Sequence, residues 1–324
     1  MGNWEHFVYG KKRFSDILMG LSLASTWAWG VSIVVGTQIV QQKGTFAFLI
    51  WAVANSLALT LFGLIAKRID INDLNNAGKR IYKVLMIVIQ FFSIMVNVTA
   101  IKTAVAMLIL PEWTWMMIAG LLFAIVLYGG YDANIKGDIL QIVCWMAVML
   151  IAIVLLPKTK VTLPISNKND ILWAIWGGII LFSGPIVDKQ MWQRKTSMIL
   201  KNNYNIKPFI ISSIIFGIYM FFVYLFAKIG VNSNIATALV IIFVSGSTLQ
   251  SALSALSSYG RSVKQSRVIM TIFFLLAIIC LVFNASVLTL WTLYGSMRIP
   301  FSIYLVWRGL KSGRAYKRKI HAGL

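Results

Sequence analysis

Acidic residues are scarce in this chain: nine Asp and Glu stand against 30 Lys and Arg in 324 residues. Charged residues of both signs make up only 12%, about half the ~25% of an average soluble domain. The 59% hydrophobic content is too much for one water-soluble core, because exposed apolar patches drive association. Histidine and cysteine are scarcer still. His6 and His321 lie near opposite ends, and no HxxxH, CxxC or carboxylate cluster is present. That excludes a metal centre built from such ligands, and the lack of a nucleophile–base pair argues against an enzyme. Cys144 and Cys280 both fall inside apolar runs, so no structural disulfide is expected. The segment before the first apolar run contains Lys11, Lys12 and Arg13 but no cleavage pattern, so no signal peptide is read.

What is present is apolar sequence in runs of 18 residues or more, the length that crosses a ~30 Å hydrocarbon layer. Ten spans are expected, at roughly 15–41, 45–67, 81–110, 113–130, 137–157, 171–187, 208–229, 235–258, 267–285 and 287–308. The net charge of +21 would suggest nucleic acid in a soluble protein. Here the basic residues sit between spans and form no continuous basic face, so no nucleic-acid partner is expected. Placed on alternate sides, the loops divide unevenly. One side, with both termini, holds 23 of the 30 basic residues. Cytoplasmic loops are the ones enriched in Lys and Arg, so both termini are expected in the cytoplasm, with the protein in the plasma (inner) membrane. The basic loop 189–207 and the tail 309–324 are expected to attract anionic lipid. Trp113 and Trp115 read as interfacial anchors, and Lys102 as a residue that snorkels to the outer face.

Two spans look broken. The first contains Ala24-Ser25-Thr26-Trp27-Ala28-Trp29-Gly30, and the sixth contains Gly177-Gly178 and Ser183-Gly184-Pro185. Proline removes a helical N–H and clashes with the turn before it. Interrupted spans at matching places in two halves point to a transporter binding site; kinked packing helices would leave the same trace. In the eighth span Ser247, Ser251, Ser254 and Ser258 recur at helical spacing and share one face. Either ligand binding or close helix packing can use such a stripe.

Several motifs, in order, resemble the sodium:solute symporter family. The stretch LASTWAWGVSIVVGTQIVQQKG resembles its first core helix, with the ASxW pattern of the urea-transporter branch. GGYDANIKGDILQ resembles the signature GGxxAxxxxDxxQ, with Gly129, Gly130, Ala133, Asp138 and Gln141 in place. VDKQMWQR resembles DQxxxQR, keeping Asp188, Gln193 and Arg194 but carrying Lys189 for the usual Gln. VSGSTLQSALSALSS resembles its Ser-rich helix. The resemblance covers about 15–310, a ten-helix core without the flanking helices the family usually carries.

The resemblance implies the LeuT-type fold of the APC superfamily: an all-α polytopic membrane protein whose ten helices form a 5+5 inverted repeat. Repeat one would span about 15–157 and repeat two about 171–308 of a single membrane domain, with helices 1 and 6 discontinuous. It also implies a sodium site made by the carbonyls of Ala24, Trp27 and Val244 and the hydroxyls of Ser247 and Thr248. Asp138 would lie on the cytoplasmic ion exit path; a helix N-terminal aspartate favoured by the dipole is the other reading. Asp188 is expected to hold its loop to Arg194. No acid or His is expected in mid-membrane, which favours Na+ over a proton as coupling ion.

For the solute, Gln90, Ser93 and Asn97 form a polar stripe on the third span that should face the bundle, since unpaired amides in hydrocarbon are costly. Trp27 and Trp29 flank the first break, Trp176 and Ser183 lie on the sixth span, and Trp291 and Tyr294 on the tenth. Arg298 lies just before Pro300. Aromatic walls with neutral hydrogen-bonding groups suit a small polar solute. The expected function is sodium-coupled symport by alternating access. A transporter-like sensor or accessory protein that binds without translocating is the alternative.

Overall fold

The computed structural model describes residues 3–67, 76–156, 161–201, 204–229, 234–281 and 295–307, and among these every regular element is helical. In chain order these are α1 (Asn3–Tyr9), α2 (Asp16–Trp27), α3 (Gly30–Ala66), α4 (Asn76–Met107), α5 (Thr114–Leu155), α6 (Lys168–Ser183), a 3-10 turn (Pro185–Val187), α7 (Lys189–Leu200), α8 (Lys207–Ile229), α9 (Asn234–Ser257), α10 (Val263–Cys280) and α11 (295–307). Among the described residues seven stretches are long and apolar enough to cross a bilayer.

Two of these are too long for one crossing. α3 has 37 residues and α5 has 42, which at 1.5 Å per residue is roughly 55 and 60 Å, about twice the hydrocarbon layer. Each turns a corner at a glycine with positive φ: Gly44 (φ 82°) and Gly130 (φ 60°). Only glycine adopts that backbone without strain. A side chain is also excluded by space, since a Cβ on Gly130 would stand 2.6 Å from the Phe7 carbonyl oxygen. α3 and α5 are therefore each two helices joined at a bend.

Large apolar side chains cover the outside. After the Gly44 corner, Phe46, Leu49, Val53, Leu57, Leu61 and Leu64 are all exposed, at helical spacing along one face. α10 likewise exposes Val268, Ile272, Leu275, Leu276 and Ile279. Stripes of this size make sense against acyl chains and not against water. The chain is an integral multi-pass membrane protein.

α9 is the opposite case. From Ile241 onward nearly every side chain is buried, among them Ser245, Gly246, Ser247, Ala252, Ser254 and Ala255. Small residues let neighbouring backbones come close, and α4 and α5 pack along α9 while α2, α3 and α7 touch it. Trp113 is exposed, whereas Trp115 is buried and is a packing residue, not an interfacial anchor. Lys102 makes an exposed ion pair with Glu112 at 3.3 Å.

The basic segment 189–207, expected as a loop attracting anionic lipid, is mostly the helix α7 with Gln190, Met191, Trp192, Gln193, Arg194 and Ser197 buried. Most of its polar side chains find partners inside the bundle and so tolerate burial. Gln193 Nε2 donates to the Val8 carbonyl (2.7 Å) and the Ser254 carbonyl (3.0 Å). Ser197 Oγ and Lys201 Nζ donate to the Tyr9 carbonyl at 2.7 and 2.9 Å. Lys11 N donates to Asp132 at 3.0 Å, so the N-terminal segment is tied to both α5 and α7. Burial lowers the Lys201 ammonium below the usual lysine range, with Asp132 pulling the other way.

Candidate functional site

The helix beginning at Asp16 stops at Trp27 in the buried interior. Ala28 (φ −77°, ψ 99°) and Trp29 (φ −92°, ψ 151°) are extended, and α3 starts at Gly30 with no side-chain cap on its N-terminus. A break of this kind frees carbonyl groups that must find partners in an apolar setting. The Ala24 carbonyl keeps a helical partner, the Ala28 N–H at 2.9 Å. The later carbonyls meet α9. Thr248 Oγ1 lies 3.1 Å from the Ala28 carbonyl oxygen, 3.4 Å from that of Thr26 and 3.3 Å from its own helix's Val244. A hydroxyl has one proton and can donate to only one of these oxygens at a time. Three carbonyl oxygens thus stand within 3.4 Å of one hydroxyl that can serve only one of them, though Val244 also has the helical N–H of Thr248; the two carbonyls at the break suit a hard cation.

Ser247, next along α9, points elsewhere. Its hydroxyl donates to Asp138 Oδ1 at 2.7 Å and accepts from Ser25 Oγ at 2.8 Å. Asp138 is fully buried and ion-paired with Arg194 at 2.6 Å. Its Oδ2 also accepts from Ser22 at 2.6 Å. Ser251 joins the cluster through Thr26 at 3.0 Å and Arg194 at 2.9 Å. Asp138 is therefore enclosed by the bundle and paired, not an exposed aspartate at a helix start. The ion pair also corrects the reading of Arg194 as a loop charge held by Asp188. Removing one partner of such a pair typically costs about 3–5 kcal/mol, because the other charge is left buried alone. Of the outer serines, Ser254 binds Gln193 and Ser258 bonds back to Ala255.

The sixth span breaks after Ser183. The 3-10 turn Pro185–Val187 follows, then Asp188 in extended conformation (φ −97°, ψ 116°) before α7. This joint is tied down by side chains of the chain itself, although Asp188 Oδ2, Gln90 Oε1 and Gln190 Oε1 stay buried there without a hydrogen-bond partner. Asp188 Oδ1 accepts from the Gln190 amide and from Gln90 Nε2, each at 2.9 Å. Gln190 Nε2 donates to Ser93 Oγ at 3.2 Å, and Trp192 Nε1 to the Ile186 carbonyl at 2.7 Å. The α4 stripe does face the bundle, and Gln90 and Ser93 fasten the joint there. Asn97 donates to the Ser93 carbonyl at 2.7 Å, and Ser183 to the Ile180 carbonyl at 2.7 Å.

Between the two joints is a small cavity lined by Trp27, Trp29, Ser32, Asn55, Leu181 and Arg298. It offers about 20 Å³ to the centre of a water-sized sphere, where one water needs about 10–15 Å³. Trp27 Nε1 donates to Asn55 Oδ1 at 2.7 Å. Trp176 is 52% exposed on the outer, apolar face and does not line this cavity, contrary to its expected place. Lipid and protein interior are both apolar, so its sequence position carried no sign of which it faces. Trp291 and Tyr294 lie outside the described residues. Ser32, Asn55 and Arg298 are cavity residues that were not assigned from sequence. A lone Asn in the second apolar run and a lone Arg in the tenth were the available signals.

The residues 26–28 thus serve three neighbouring places. The Thr26 side chain reaches the Asp138 cluster, the Trp27 ring walls the cavity, and the Thr26 and Ala28 carbonyls reach Thr248.

No protein-family profile and no curated protein sequence matches this chain. In fold it is similar to the solved structure of a Na+-coupled sialic acid symporter, described as substrate-bound, outward-open and revealing a novel Na+ site. The TM-score is 0.55 at 12% identity, over 94% of this chain and 80% of that one. The likeness is to a sodium symporter fold and does not single out a urea-transporter branch. Among the described residues no group of three or more His, Cys, Asp and Glu could hold a metal ion.

Proposed function

We propose that this protein is a sodium-coupled symporter of a small polar organic solute, working by alternating access. The observation that carries the reading is the Thr248 hydroxyl set among carbonyl oxygens at the unwound joint of the first span. Counted across its bends and joints, the described residues supply nine crossings, and the tenth is assigned to the apolar run 287–308, of which 295–307 is helical. α2 with the start of α3 is the first, α3 divides at Gly44, α5 divides at Gly130, and α6 with α7 is the sixth. This count supports two inverted five-helix repeats, with both termini in the cytoplasm.

The sodium site is drawn from Ala24, Trp27, Val244, Ser247 and Thr248, refined by the side-chain positions. Thr248 and Val244 face the joint, and the nearest carbonyls there are those of Thr26 and Ala28. Ser247 joins only if it turns from Asp138. A bound cation would relieve the oxygen crowding and pin α2 and α3 to α9. Asp138 and its serines lie on the α2 side of the joint, toward the N-terminus, where an ion leaving for the cytoplasm would pass. The solute site is the cavity walled by Trp27 and Trp29, which has room for about one water as it stands and must widen to admit a solute; Trp291 and Tyr294 are assigned to it by their place on the tenth span. The basic surface on the terminal side would rest on anionic lipid.

The test is flux of radioactive sodium in proteoliposomes, with and without a panel of small solutes. Solute-stimulated sodium entry that falls at least tenfold in Thr248→Val supports the proposal. Sodium and solute binding with no flux would favour a sensor or accessory protein.

A further inference from the structure

We infer that the solute carries a carboxylate, received in the cavity by Arg298; this rests on the symporter reading above. Arg298 is 1% exposed and lines the cavity together with Trp27, Trp29, Ser32 and Asn55. A Cβ on Gly184 would come within 2.6 Å of Arg298 Nη1, so the guanidinium stands at the joint of the sixth span while the cavity also borders the joint of the first. Guanidinium offers several donors in a planar fork that matches a carboxylate. Among the described residues no acidic side chain lines the same cavity. The N-terminus of α3, uncapped by any side chain, begins beside Trp29 and Ser32 and adds partial positive charge there.

The buried charges give a second argument. Among the described residues four charged side chains are buried: Asp138, Asp188, Arg194 and Arg298. Arg194 and Asp138 pair directly, and Asp188 lies within electrostatic reach of Arg298. These four sum to zero. A sodium ion added at the first joint leaves an excess of one positive charge in a medium that penalises it. A neutral solute leaves that excess in place, whereas a carboxylate removes it. Sodium and anion would therefore stabilise each other's binding, which is coupling in thermodynamic form.

The probes are acetate and its neutral isostere acetamide, titrated against the purified full chain in sodium and in potassium, with thermal unfolding as readout. In sodium, acetate is expected to bind at least tenfold more tightly than acetamide. The preference should shrink to under twofold in Arg298→Gln and persist in Arg298→Lys. Equal response to the two probes, no response to acetate, or an acetate preference that survives Arg298→Gln overturns the inference. The wild-type comparison stands even if Arg298→Gln does not fold. Sodium stabilisation without any acetate preference would sink the carboxylate and leave the symporter reading intact. No difference between sodium and potassium would sink the symporter reading itself.

Discussion

The two interrupted spans solve the same problem in different ways. After Val187 the chain closes its own gap: Asp188 caps α7, Gln90 and Gln190 tie the joint to α4, and a 3-10 turn carries the backbone across. At Ala28–Trp29 two residues run extended without a capping side chain, and the freed carbonyls look to a threonine on another helix. The sixth joint keeps spare acceptors, Asp188 Oδ2, Gln90 Oε1 and Gln190 Oε1, buried without a hydrogen-bond partner, but its backbone break is capped by a side chain. A joint whose oxygens crowd a single proton has a place for a cation. On the function proposed above, this difference assigns the cation to the first joint, although both breaks read alike as small and polar residues in apolar sequence.

The comparison can be broken at several points. The largest effect is expected where the first joint is anchored: Arg194→Leu should destabilise the protein by about 3–5 kcal/mol, since Asp138 is left buried without its partner. Thermal unfolding in detergent measures this, and the double variant Asp138→Asn, Arg194→Leu should recover part of it. Next, Asp188→Ala removes a helix cap and the bond to Gln90, for an expected loss of about 1–3 kcal/mol. Its sodium response should weaken but survive, because the sixth joint holds no cation in this account while the loss of Asp188 leaves the Arg298 charge unbalanced. A sodium response lost together with stability would make the two joints equivalent. The smallest effect belongs to Trp176→Leu, within about 0.5 kcal/mol as for other surface changes and without effect on solute-stimulated flux, whereas Trp27→Leu should abolish that flux.

Much of the frame is legible in the sequence. Apolar runs, glycines at the corners and the small polar stretch at 24–30 announce where the chain crosses and where it cannot stay helical. The hydroxyls of α9 are legible as a stripe, but the stripe does not say which of two adjacent residues meets the joint. Ser247 and Thr248 differ by one step of about 100° around the helix, and only packing decides that Thr248 takes the carbonyls while Ser247 takes Asp138. Arg194 was hidden by its setting: in a basic segment it looks solvated, and its partner lies 56 residues away. Asn55, Ser32 and Arg298 come from three separate spans, so no local pattern brings them together. Trp176 misled because an aromatic residue on an apolar helix suits lipid as well as a binding pocket.

The most direct measurement is the shift in unfolding temperature when sodium replaces potassium at equal ionic strength, in wild type and in Thr248→Val. Loss of one hydroxyl should change stability in potassium by only about 1 kcal/mol. The account predicts that sodium stabilises the wild type in a saturable way and leaves Thr248→Val unmoved. Equal sodium stabilisation of the two proteins would contradict it.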